Sequence, residues 1–171
     1  MNSPADPAAR IMTLAEAAAW RETLRREGRK LVITNGCFDL VHRGHASYLH
    51  DSRELGDALL VLLNSDRSVR ALKGAFRPVV DEYSRAYLLA SLRAVDAVVI
   101  FDGSVCAAEL AALAPDIYVK GGDYTLEKLN AEERAALLAA GTEIRFKPFV
   151  AGFSTSGIVD RILRGAAGKN A

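Results

Sequence analysis

Leu31-Val32-Ile33-Thr34-Asn35-Gly36-Cys37-Phe38-Asp39-Leu40-Val41-His42-Arg43-Gly44-His45 is the stretch on which the reading of the chain turns. Its first three residues form an apolar run that reads as a short buried strand. Ala46 to Leu55, directly behind it, carry apolar residues at helical spacing. The stretch is therefore a strand-to-helix junction. Free amides at a helix N-terminus make an anion site. Gly36 allows close backbone approach, and Gly44 opens the helix. His42 and His45 stand three residues apart, so both imidazoles can reach the same anion, while Arg43 between them faces elsewhere.

Outward from this junction, strand and helix signals alternate. Thr13-Leu14-Ala15-Glu16 reads as a capping box, opening a helix that runs to about Arg26. Strands are expected at residues 31–34, 58–63, 97–101, 116–119 and 143–146, and helices between them. Asp81 and Ser154 are expected helix caps. This alternation predicts a single-domain α/β fold over residues 1–171, a Rossmann-like doubly wound parallel five-stranded sheet with helices on both faces. Residues 1–12 and 165–171 are expected to be flexible tails. In such sheets ligands bind beyond the carboxyl ends of the strands. Thr34 to Asp39, Asn64 to Asp66 and Lys120 to Asp123 each follow a strand, so they converge on one edge.

The composition narrows the function. The chain has 171 residues, with 22 Lys plus Arg against 21 Asp plus Glu. No long basic run is present, so nucleic acid is not an expected partner. No apolar run approaches the roughly 20 residues of a membrane span, and the first ten residues lack the apolar core of a signal peptide. A cytoplasmic location follows as the default. Cys37 and Cys106 have no framework spacing and fit a reducing compartment. A zinc site on Cys37, His42 and His45 lacks the fourth ligand that a structural site needs, and no metal ligands are assigned.

The chemistry on offer is glycine amides, imidazoles and cationic side chains. No Ser-His-Asp set and no paired carboxylates are evident. This equipment suits a polyphosphate, because positioning and charge stabilisation carry such transfers. In a nucleotidyl transfer a phosphate oxyanion attacks the α-phosphorus of a nucleoside triphosphate, and pyrophosphate leaves. The attacking group is already an anion and needs no general base.

H-x-G-H behind T-x-G-x-F-D resembles the nucleotidyltransferase superfamily with a HIGH-type signature. Together with L-N-S-D-x-S-V-x-x-L-K-G, R-P-V, V-D-x-V-V-x-F, P-D-x-x-V-K-G-G-D-Y and S-T-S, the chain from Leu31 to Arg164 resembles the heptose 1-phosphate adenylyltransferases. That resemblance implies ATP and D-glycero-D-manno-heptose 1-phosphate as substrates, Mg²⁺, ADP-heptose and pyrophosphate as products, and lipopolysaccharide core synthesis as the purpose. It implies a homo-oligomer and, in this stand-alone form, a separate heptose kinase. Carried over residue by residue, it makes His42, His45 and Lys73 catalytic. Asn35, Gly36, Cys37, Phe38 and Gly44 would line the triphosphate. Lys120, Gly122 and Asp123 would meet ribose and adenine, and Ser154, Thr155 and Ser156 the terminal phosphates. Asp39 would orient the loop or reach the sugar phosphate, and Asp66, Arg77 and Arg85 would serve the sugar phosphate. One departure is Val159, where wider relatives carry a basic residue. The rival readings are a cytidylyltransferase acting on glycerol 3-phosphate and a nucleotide-binding module without turnover.

Overall fold

The computed structural model describes residues 6–122, 124–148 and 152–167. In chain order its elements are a 3₁₀ turn Pro7–Arg10, β1 Ile11–Met12, α1 Leu14–Arg26, β2 Leu31–Gly36, α2 Arg43–Arg53, β3 Ala58–Asn64, α3 Asp66–Lys73, α4 Glu82–Ala90, β4 Ala97–Phe101, α5 Ala107–Leu113, β5 Ile117–Gly121, α6 Ala131–Ala139, β6 Glu143–Lys147 and α7 Thr155–Ala167. The helix starts follow local chemistry. Thr13 and Glu16 form a complete capping box on α1. The Asp81 side chain accepts from Ser84 N–H on α4, and the Ser154 hydroxyl accepts from Gly157 N–H at 3.0 Å.

The sheet is parallel throughout, with strand order β1-β4-β3-β2-β5-β6. β3 is buried along its whole length, as its unbroken apolar run requires when helices cover both faces. Alternate residues divide between two cores. Leu31, Ile33, Leu60, Leu62 and Val99 pack with Ala17 and Leu24 of α1, Leu110 of α5 and Leu137 of α6. Val32, Leu59, Val61, Leu63 and Val98 pack on the other face with Leu49 of α2 and Leu89 of α4. The doubly wound arrangement is as expected.

One expectation is corrected. The sheet has six strands rather than five, because Ile11 and Met12 pair with Val98 and Val99. A two-residue strand has no periodicity to read. Arg10 fastens this segment by donating to the carbonyls of Ala90 and Val95 at 3.1 and 3.0 Å. At the other end, α7 continues through Gly165 to Ala167.

From β2 the chain winds outward to β3 and β4. It then returns to place β5 on the opposite side of β2. The strand order reverses between β2 and β5. α2 leaves β2 toward one face, and α6 follows β5 on the other. A crevice must open between them at the carboxyl ends of these strands.

Candidate active site

A cavity of about 850 Å³ occupies that crevice. It is lined from β2 and its loop by Asn35, Gly36, Cys37, Phe38 and Asp39, and from α2 by His42, Gly44, His45 and Tyr48. Lys73, Arg77, Lys120 and the Ser154-Thr155-Ser156 run complete much of the wall. Of the residues singled out from sequence, these fourteen, Tyr48 apart, meet around one space.

The imidazoles owe their placement to the helix start. His42 is the N-cap of α2, and its Nδ1 accepts from His45 N–H at 3.3 Å. That bond requires an unprotonated Nδ1, so the neutral ring carries its proton on Nε2. The two rings stack with centroids 3.9 Å apart. Phe38 packs on His45 at 5.1 Å, and it does so from a left-handed backbone with φ of 45°. A non-glycine residue there stores strain that the surrounding structure must hold. Burial, helped by the neighbouring His42 ring and opposed by the Leu40 backbone, pushes His45 down to about 4. Burial also lowers His42. Both rings are therefore neutral donors at physiological pH.

Gly44 has a steric reason. A Cβ there would meet Phe153 Cβ at 2.9 Å and the His42 ring at 3.0 Å. Phe153 stacks on His42 at 6.2 Å, and the Arg43 guanidinium lies 5.4 Å over the same Phe153 ring. Phe153, two residues ahead of α7, is thus tied to the histidine turn.

Several of the expected site residues make firm contacts within the protein. Arg85 is fully buried. Its guanidinium donates to the carbonyls of Cys37, Asn64 and Val80 and to Asp66 Oδ1, at 2.6–2.9 Å. Those donors are spent inside the protein, and neither Arg85 nor its partner Asp66 is among the residues that line the cavity. Asp39, 3% exposed, accepts from Arg77 Nε and from the N–H groups of Val79 and Val80. It orients the loop that carries Arg77. Gly122 is turned from the cavity, since its N–H donates to Lys147 O at 2.8 Å; its φ of 112° explains why glycine stands there. Asp123 lies outside the described residues. Lys73 is exposed at the end of α3.

The sequence reading passed over Tyr48, Phe153 and Glu133, and it placed Asn64 at the site edge without a role. The Tyr48 hydroxyl bonds Thr34 Oγ1 at 2.8 Å and donates to Val119 O at 3.0 Å, joining β2 to β5. Asn64 donates to Ser68 Oγ at 2.8 Å, close by the weak Cys37 thiol contact at 3.8 Å. Its signal was its place at a strand end in N-S-D. Burial pushes the Cys37 thiol up, so it is no reactive thiolate. Among the described residues no group of three or more His, Cys, Asp or Glu is arranged to hold a metal. Asp39 and Glu133 already face Arg77 and Lys120. A resident metal does not fit these residues.

The cytidylyltransferase-like family description matches residues 33–160. The chain belongs to the cytidylyltransferase-like family. It is accordingly a nucleotidyltransferase, with the H-x-G-H turn and the switch-point cavity inside the matched span. The chain is 50% identical over 143 residues to the bifunctional protein HldE of Helicobacter pylori strain Shi470, covering 84% of this chain and 30% of that protein. It is 45% identical over 161 residues to the bifunctional protein HldE of Geotalea uraniireducens, covering 94% of this chain and 32% of that one. The chain thus spans about a third of the length of these curated relatives. Among solved structures, a lipopolysaccharide core biosynthesis protein from Thermoplasma volcanium superposes with a TM-score of 0.58 at 30% identity, covering 72% of this chain and 98% of that one. A pantoate-beta-alanine ligase from Francisella tularensis, 14% identical with a TM-score of 0.56 over 86% of this chain and 69% of that one, shares the fold. Among the described residues, this cytidylyltransferase-like chain has no helix long and apolar enough to cross a membrane.

Proposed function

We propose that the chain transfers AMP from ATP to D-glycero-D-manno-heptose 1-phosphate, giving ADP-heptose and pyrophosphate for lipopolysaccharide core synthesis. The observation that carries the transfer chemistry is the pair of stacked imidazoles of His42 and His45 at the N-terminus of α2, on the wall of the switch-point cavity. The heptose assignment rests on the run of motifs from Leu31 to Arg164 and on the likeness to the HldE proteins.

An oxygen of the sugar 1-phosphate attacks the α-phosphorus and forms the new P–O bond. The bond from that phosphorus to the β-phosphate bridging oxygen breaks, and pyrophosphate takes the electron pair. His42 Nε2–H is a donor for the phosphate oxygens on which charge grows, and His45 works beside it. Neither has to accept a proton, which agrees with their depressed basicity. Lys73 supplies a cation at the mouth. The hydroxyls of Ser154, Thr155 and Ser156, with the free amides of α7, are the receivers for the terminal phosphates. Mg²⁺ would arrive with the polyphosphate rather than through a resident protein site. Arg77, already oriented by Asp39, is the guanidinium left for the sugar phosphate.

Pyrophosphate release measured for ATP and CTP, each with heptose 1-phosphate and with glycerol 3-phosphate, tests the reading. ATP should exceed CTP by at least roughly tenfold in kcat/KM. Preference for CTP with glycerol 3-phosphate would overturn the heptose assignment, and no release with any pair would favour a binding module. A cytoplasmic setting and a homo-oligomer complete the proposal. Light scattering that gives a concentration-independent monomer mass would refute the last.

A further inference from the structure

Glu133 takes no part in the transfer step, yet it is a carboxylate only 4% exposed that borders the cavity. The helix cap does not explain it, because Asn130 already receives the first N–H groups of α6. Burying an ionised carboxylate costs several kcal/mol unless partners compensate. Glu133 has such partners on two sides. Its Oε1 accepts from Cys106 N–H at 3.1 Å and from the Cys106 thiol at 3.3 Å. Its Oε2 lies 3.9 Å from Lys120 Nζ. Lys120 in turn donates to Asn35 Oδ1 at 2.7 Å and to the Tyr118 hydroxyl at 3.3 Å, and the same Asn35 oxygen receives the Tyr118 hydroxyl at 2.8 Å. The chain of contacts joins the head of α5 through α6 to the ends of β5 and β2, across the crevice.

The ammonium has three N–H groups, and two are spent at hydrogen-bond distance. The 3.9 Å approach to Glu133 supplies charge balance without using the third. We propose that Glu133 is a positioning residue, holding the Lys120 side chain fixed beside Asn35 so that its remaining N–H meets an acceptor on the nucleoside half of a bound nucleoside triphosphate. The charge argument picks the nucleoside half. A carboxylate this close offsets most of the ammonium's pull on a polyanion, so a hydroxyl oxygen or a ring nitrogen is the fitting acceptor. The proposal rests on nucleotide binding in this cavity and not on which base or sugar is used.

The test follows pyrophosphate release with whichever of ATP and CTP the wild-type chain turns over faster, so a wrong base assignment leaves it standing. Glu133→Gln keeps an oxygen for Cys106 N–H and removes the charge. It should raise the nucleotide KM at least about tenfold, equivalent to about 1.4 kcal/mol, with kcat held within about threefold. Glu133→Asp, which keeps the charge, should raise KM less. The Glu133→Gln/Lys120→Gln double variant should be no worse than Lys120→Gln alone, since a residue acting through another adds nothing once that other is gone. An unchanged KM in folded Glu133→Gln, or losses that add in full, would overturn the proposal. If Glu133→Gln does not fold, Glu133→Asp alone and combined with Lys120→Gln gives the same comparison.

Discussion

At the scale of single residues, His45 couples catalysis to stability. His45→Ala should retain its fold and lose at least about 10² in turnover, the usual cost of one preorganised donor; wild-type turnover in a folded variant would exclude the phosphate role. The same ring sets a pH dependence. Its folded value of about 4 lies below the ordinary 6.5. Between those values the unfolded chain binds a proton that the folded chain refuses. Stability should therefore rise with pH across that window, by at most about 1.4 kcal/mol per pH unit for one proton, and be complete above it. Urea midpoints at pH 7.5 and pH 5 check this, and His45→Gln should flatten the difference. The histidines were legible from H-x-G-H because a helix start dictates where such side chains point. The bracing role of Arg85 was not legible, for a physical reason. A guanidinium that binds phosphate and one that braces three carbonyls look alike in sequence, and only burial separates them. Glu133 hid among the acids of a helix first turn.

At the scale of elements, the loop between α3 and α4 is held from two directions. Asp39 receives the N–H groups of Val79 and Val80, while Arg85 donates to the Val80 carbonyl. Arg85→Ala would leave the buried Asn64 carbonyl, the part-buried carbonyls of Cys37 and Val80, and Asp66 without this donor. A loss of at least about 3 kcal/mol is expected, at roughly 1–3 kcal/mol for each buried group left unpaired. Denaturant unfolding measures it, and a change below 1 kcal/mol would remove Arg85 from its structural role. Asp39→Asn should spare the fold and speed hydrogen exchange at Val79 and Val80, where the anionic acceptor is replaced by a weaker one. The element boundaries were legible where caps mark them, as at Thr13 and Asp81. They were missed where strands run on, since β2 reaches Gly36 and β5 reaches Gly121. Asn35, Gly36 and Lys120 therefore belong to the sheet rather than to loops, and this rigidity supports the site.

At the scale of the whole molecule, alternation of apolar runs announced the parallel sheet, but β1 was too short to announce itself. Its pairing with β4, together with Arg10 on two carbonyls, predicts that deleting residues 1–12 lowers stability by about 2 kcal/mol or more. Thermal unfolding of the shortened chain checks that, and an unchanged midpoint would make the segment decorative. The sheet order carries a consequence in time. β2, which bears the histidine turn at its end, pairs with β3 soon after it in the chain, but its other neighbour is far along, with Val32 beside Ile117. Contacts so distant form late in folding. A nascent chain that has reached only Phe101 owns both histidines and lacks Tyr118, Lys120 and Glu133. It has half a crevice, so nucleotide cannot act as a folding template during synthesis until β5 has left the ribosome.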